Sequence, residues 1–268
     1  MLDATHLRAL GPIATVEPVQ GFVGNQNFRL RTEAGETFYY KSGAATAVSA
    51  EVWACQRARE AGVPAPEIVS SGDGHLIQRA LAGSPSSEPE VLEQAGAQLR
   101  LLHEIPGDGY GFLHEGLRDN WLDVLTEPLE RLDVLTGIID DDLVRRLRGV
   151  SFAERLTPTT PRLLHGDLVP RHIYAEGNKL TGFIDWGDAA FGDPLFDLGR
   201  FSRDGATTTN ALLRGYGLDR TPATEWTLSF YRTISSVMAL HWEHAAGGDW
   251  FTGHIAAITA ELPVLEVS

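Results

Sequence analysis

The segment LLHGDLVPRHIYAEGNKLTGFIDWGDAAFGDPLFDL, residues 163–198, constrains the chain more than any other. Three short apolar runs in and beside it, RLLHG, HIYAE and LTGFID, read as strands, and each delivers polar residues at an end. Asp167 follows His165 and Gly166 at the close of the first, His172 lies five residues on, and Asp185 ends the third. Metal-assisted phosphoryl transfer needs such a set: an acceptor for a hydroxyl proton, and oxygen or nitrogen ligands for the cation that bridges the phosphates. A lone His-Gly-Asp triplet would be no more than a turn with a capping aspartate. The second cluster, around Asp185, is what changes its meaning.

The rest of the chain falls into two parts. IATVEPVQ, NQNFRLRT and ETFYYKS, within residues 13–42, read as an antiparallel meander with turns at Gly21–Asn25 and Glu33–Gly35. An alanine-rich helix over 46–61 stops at Gly62, and two more strands, EIVSS and HLIQRAL, flank the turn Gly72-Asp73-Gly74. AGSPSSEP is the best linker, followed by Ser87 and Glu90 at capping-box spacing and a stripe of Leu92, Ala95, Leu99 and Leu102. Helical patterns return at 119–135 and 140–156 and break at TPTTP. The last long helix starts with Thr221 as cap and Pro222 in its first turn, and carries Trp226, Phe230, Ile234, Val237, His241 and His244 on one stripe. The expected class is α+β: a small antiparallel lobe with one long helix, residues 1–82, and a larger mainly helical lobe, residues 83–268.

Charge and cysteine narrow the partners. With 22 Lys+Arg against 36 Asp+Glu the formal charge is −14, and no local basic patch offsets it, so a nucleic-acid partner is not expected. Up to residue 85 there are 7 basic and 8 acidic residues, and 15 against 28 beyond it, so nearly all the excess (−1 versus −13) lies in the second part. A cationic small molecule would be drawn there, although solvated acidic helices that merely keep a protein soluble leave the same signature. The single cysteine, Cys55, allows no intramolecular disulfide and fits a reducing cytoplasm, most simply as a small buried apolar residue. No signal-like or membrane-length apolar stretch is read, and no protein partner is implied. Lysine occurs only at 41 and 179, so its position is informative.

HGDLVPRH at 165–172 and IDWGDAAFGDPLFDL at 184–198, in this order and separation, resemble the aminoglycoside phosphotransferase and choline kinase-like family of small-molecule kinases. The resemblance implies a bilobal protein-kinase-like fold with ATP and Mg2+ in the cleft. It makes Asp167 the base toward the acceptor hydroxyl and Asp185 the main magnesium ligand, with His165 bracing the loop. His172 departs from the pattern, since the family usually carries asparagine there; neutral His172 is expected to support Asp167 or one metal, imidazole being a poorer magnesium ligand than an amide oxygen. Histidine at this position also looks familiar from macrolide kinases.

The first lobe carries the nucleotide half of the resemblance, which GYGFLHEG in the middle of the chain extends. Lys41 ends the strand TFYYK and Glu51 follows ten residues later, which implies a phosphate-contacting lysine held by a helix glutamate. GFVGNQNFRL, with Gly24 and Asn25, resembles the phosphate-covering loop. HLIQRALAG resembles the strand-to-linker hinge, where backbone near Arg79 and Leu81 would bind adenine with Gln78 at the back. Asp188 would touch metal, substrate or only the loop backbone, whereas Asp193 and Asp197 look like caps of turns and of the following helix. In HWEH, His241 and His244 read as core histidines rather than zinc ligands, and Trp242 with Glu243 would face an aminated acceptor.

The reaction expected is transfer of the γ-phosphoryl group to a hydroxyl of a small molecule. An aminoglycoside-like amino sugar ranks first, ahead of macrolides, choline-like amines and metabolic sugars. The competing class is a pseudokinase that binds Mg-ATP without turnover. A protein kinase is disfavoured, because HGD stands for HRD and IDW for DFG.

Overall fold

The computed structural model describes residues 7, 10–19, 26–150, 152–153, 155–156 and 159–266. The first part is a five-stranded antiparallel sheet in the order β1-β2-β3-β5-β4, built from β1 (Ile13–Val19), β2 (Gln26–Thr32), β3 (Thr37–Ser42), β4 (Ile68–Gly72) and β5 (His75–Arg79). Strict alternation gives the sheet two faces. Leu30, Phe38, Tyr40 and Ile77 are buried with Leu10 on the outer face, so Arg29, Tyr39 and Lys41 project from the other. Helix α1 (Ala45–Glu60) buries the small residues Ala54, Cys55 and Ala58 in the same apolar cluster as Leu92, Leu99, Phe183 and Trp186. It ends at Ala61, with Gly62 in the left-handed region at φ 83° as the sequence implies.

The linker is not free of structure: β6 (Ser84–Pro85) pairs with β9 (Ile173–Glu176), which pairs in turn with β10 (Lys179–Phe183). Helix α2 (Pro89–Leu102) starts at Glu88, not at a Ser87 capping box, and Ser86 Oγ instead accepts the Glu88 N–H at 3.2 Å. Pro89, with φ already set for a helix and no N–H to satisfy, fixes the start. A third small sheet, β7-β11-β8, joins β7 (Gly111–Phe112), β8 (Arg162–Leu164) and β11 (Ala190–Gly192).

The patterns at 119–135 and 140–156 are shorter as helices. Helix α3 (Trp121–Glu130), capped by Asn120, gives way to a 3-10 turn at Leu132–Leu135, and α4 (Asp141–Gly149), capped by Asp140, ends at its glycine. Then come α5 (Leu195–Phe201) with a 3-10 turn at Ser202–Asp204, α6 (Ala206–Tyr216), α7 (Pro222–Ala245) and α8 (Phe251–Leu265). Thr221 caps α7 by accepting the Thr224 N–H, as expected. The stripe Trp226, Phe230, Ile234 and Val237 is core, against α8 residues Ile258 and Leu262. It does not extend to its end: His241 is half-buried and bonds Pro128 O at 2.8 Å, while His244 is exposed. No helix among the described residues is long and apolar enough to cross a membrane.

Candidate active site

The ends of β3, β8 and β10 converge between the sheet and the helical part. After β8, Gly166 turns the chain at φ 80°, and a Cβ there would lie 1.7 Å from the Asp188 carbonyl oxygen, so only glycine closes this turn. Asp197, fully buried on α5, reaches back to accept the His165 N–H at 2.7 Å and the Gly166 N–H at 2.9 Å. His103 donates to it at 3.2 Å and accepts the Tyr216 hydroxyl through Nδ1 at 2.9 Å. Burial would raise the Asp197 pKa, but His103, His165 and the Gly166 amide bring it below the ordinary value. Asp197 therefore holds the loop backbone rather than capping its own helix. Asp193 closes the turn before α5, accepting the Leu195 N–H, and also takes the Tyr231 hydroxyl.

His165 is buried, packed at 4.8 Å between ring centroids against the buried Trp186. Its Nε2 donates to Ile184 O at 2.9 Å and its Nδ1 accepts the Asp167 N–H at 3.3 Å. Burial lowers its pKa and keeps it neutral. His172 uses Nδ1 to donate to Asp167 O at 2.8 Å, which fixes its tautomer and turns the Nε2 lone pair toward Asp185 Oδ2, 3.6 Å away. Ligand atoms of Asp167, His172 and Asp185 all lie within 4.8 Å of one another, the one such His/Cys/Asp/Glu group among the described residues. Two carboxylates and a lone-pair nitrogen fit a divalent cation.

Asp185 is a non-glycine residue at φ 66°. Such a backbone costs energy and survives only where its surroundings over-determine it. Here Lys41 Nζ lies 2.9 Å from Asp185 Oδ1 and 2.6 Å from Glu51 Oε1, tying β3 and α1 to the end of β10. Burial opposes the Lys41 charge, yet Glu51 and Asp185 hold its pKa above the ordinary value. Burial would raise the Asp185 carboxyl, but Lys41 and His172 bring it down to about 2.

Gln78 is buried, and its Oε1 has no hydrogen-bond partner among the described residues. Arg79 ends β5, where the hinge reading places it. Its N–H is already spent on Glu67 O at 2.8 Å, and its guanidinium pairs with Glu36 and Glu67 over the Phe38 ring. Near it lies a cavity of about 470 Å³ lined by Tyr39, Leu81, Gly83 and Tyr174. Tyr39 stands two residues before Lys41 on the same sheet face, and Tyr174 two after His172. The sequence reading missed both tyrosines, although their offsets from the two motifs are visible. Gly24 and Asn25 lie outside the described residues.

The backbone of Asp188 abuts Gly166, and desolvation of its carboxyl, with the nearby Asp167 charge, raises its pKa. Glu243 accepts the Trp250 N–H at 3.1 Å, and Trp242 is exposed; neither belongs to the Asp167 group. Arg200 was not anticipated: from α5 it forms an ion pair with Asp167 Oδ1. Arg171 Nη2 lies 3.8 Å from the other Asp167 oxygen.

A sequence model described as "Phosphotransferase enzyme family" matches residues 15–228, and the chain belongs to that family. A homoserine kinase of Brucella anthropi is 26% identical over 232 residues, covering 77% of this chain and 71% of its own. A fructosamine-3-kinase candidate from Thermobifida fusca superposes at TM-score 0.78 with 16% identity, over 100% of both chains. The GDP and kanamycin complex of the aminoglycoside phosphotransferase APH(2")-IIia superposes at 0.73 with 20% identity, over 96% of this chain and 97% of that one. The fold is thus the bilobal, protein-kinase-like one of these phosphotransferases, and the chain is a small-molecule kinase.

Proposed function

We propose that residues 1–82 form the nucleotide-binding lobe, that residues 83–268 carry the catalytic and metal-binding loops and the acceptor site, and that the γ-phosphoryl group passes in line to an acceptor hydroxyl. The observation that carries this reading is the convergence of Asp167, His172 and Asp185 within 4.8 Å, with Lys41 2.9 Å from Asp185. The new bond joins the acceptor oxygen to the γ-phosphorus, and the bond to the β–γ bridging oxygen breaks, leaving ADP. The hydroxyl proton goes to Asp167. Lys41, steadied by Glu51, binds the phosphates; Asp185 and His172 Nε2 would hold a divalent cation. When bound there, Mg2+ neutralises charge on the phosphate oxygens. The protein itself contributes position and charge, with no covalent enzyme intermediate.

In the nucleotide site Tyr39 and Tyr174 enclose the base beside the backbone of Leu81, with Gln78 behind. An amino sugar, ranked first on the overall charge, has a precedent in the kanamycin-bound neighbour. Homoserine, the substrate named for the Brucella relative, is the second acceptor to test. The test is intact-mass analysis of amino sugars, macrolides, choline-like amines, sugars and L-homoserine incubated with enzyme and Mg-ATP. A gain of one phosphoryl group, absent with Asp167→Ala, supports the reading. Mg-ATP binding with no product from any acceptor class favours the pseudokinase.

A further inference from the structure

The side chains that flank the two Asp167 carboxylate oxygens, Arg171 and Arg200, are both guanidinium groups. Arg200, at the end of α5, and Arg203, in the 3-10 turn that follows, are three apart and so share one face. Arg200 is paired with Asp167, yet its Nε is enclosed with no hydrogen-bond partner among the described residues. Arg203 is exposed, and its one polar contact among those residues is Nη2 to His254 Nδ1 at 3.4 Å. His254 lies on α8, buried, its pKa lowered by burial and by Arg203, so the neutral ring accepts from the guanidinium. Arg203 has no carboxylate within 4.0 Å among the described residues, and both Asp204 and Asp167 act on it only from further away. The neighbouring Arg200 charge lies unfavourably beside it, and an incoming anion would relieve that repulsion.

A polycationic acceptor would approach Asp167 past Arg171, Arg200 and Arg203. Guanidinium forks of this kind match carboxylate and phosphate oxygens instead. Resting on the kinase reading above, we propose that the acceptor carries an anionic group, a carboxylate or a phosphate, besides its hydroxyl, and that Arg203, positioned by His254 and backed by Arg200, binds it.

The test offers the enzyme Mg-ATP with two panels and reads products by mass. The anionic panel is L-serine, L-threonine, L-homoserine and D-glycerate as carboxylates, with glucose 6-phosphate as the phosphate; the cationic panel is kanamycin, hygromycin B and choline. The proposal expects product from the anionic panel, and whether carboxylate or phosphate members react identifies the anion. For the accepted compound, Arg203→Ala should raise KM about 30-fold, the loss of a charge-assisted pair, with a much smaller fall in kcat. Arg203→Lys should recover part of that loss. An analogue with its charge removed, such as the methyl ester of an accepted acid, should be poor with wild-type enzyme and no poorer with Arg203→Ala. Product from the cationic panel alone, or a KM unchanged by Arg203→Ala, overturns the proposal and leaves the kinase reading standing. No product from either panel overturns the proposal, and no product from the macrolides and neutral sugars as well, despite Mg-ATP binding, overturns the kinase reading too.

Discussion

Lys41 Nζ lies 2.9 Å from Asp185 Oδ1 and 2.6 Å from Glu51 Oε1, so a single ammonium joins the sheet, its helix and the loop after β10. Removing the ammonium leaves Glu51, 6% exposed, as an unpaired buried carboxylate. Lys41→Ala should therefore destabilise the fold by about 3 kcal/mol, measured by urea unfolding, as well as weakening nucleotide binding. Lys41→Ala with Glu51→Gln should recover stability without recovering activity.

The same pair gives a pH dependence. The folded pKa of Asp185, about 2, lies below its ordinary 3.8, so this carboxylate adds stability above pH 4 that is lost as pH falls toward 2. Chemical denaturation from pH 6 to pH 2.5 should show a steeper loss for wild type than for Asp185→Asn. Parallel curves would mean that the contact contributes nothing to folding.

His172 offers nitrogen where the resembling kinases usually offer an amide oxygen. Imidazole suits borderline metals better than magnesium. Turnover in Mn2+ relative to Mg2+ should be higher in wild type than in His172→Asn, by about tenfold if Nε2 is a direct ligand. An unchanged ratio would assign His172 to supporting Asp167 alone.

Tyr39 and Tyr174 frame the cavity beside the hinge. A base held against an aromatic ring is worth about 1–3 kcal/mol. Tyr39→Ala should raise the Kd for ATP about tenfold, with a smaller effect on turnover at saturation, by titration calorimetry and steady-state rates.

Asp197 accepts two backbone amides of the loop that carries Asp167, and its replacement orphans both inside the core. Asp197→Ala should cost about 3 kcal/mol or prevent folding. Asp197→Asn, which keeps a carbonyl acceptor for one amide, should be the milder change, and thermal melting ranks the two.

The sheet was legible because alternation in NFRLRT and TFYYKS has period two, and α7 because Thr221-Pro222 announces its start. The convergence of Asp167, His172, Asp185, Lys41 and Glu51 was legible because two fixed-spacing motifs and a scarce lysine mark these candidates. What escaped depended on contacts distant in sequence. Ser87 lost the cap of α2 to Pro89, His244 turned to solvent where α7 ends, and Asp197 faced the loop instead of its own helix. Arg200 sits 33 residues from Asp167, and no local pattern predicts their pairing.

The central claim is that Asp167 receives the acceptor proton while Lys41 and Asp185 manage the phosphates. Phosphoryl transfer by Asp167→Ala, measured beside its Mg-ATP affinity, tests it most directly. The account predicts a loss of turnover of at least about 10³-fold with ATP affinity within about threefold of wild type, since no nucleotide contact is removed. Turnover retained within tenfold would contradict it.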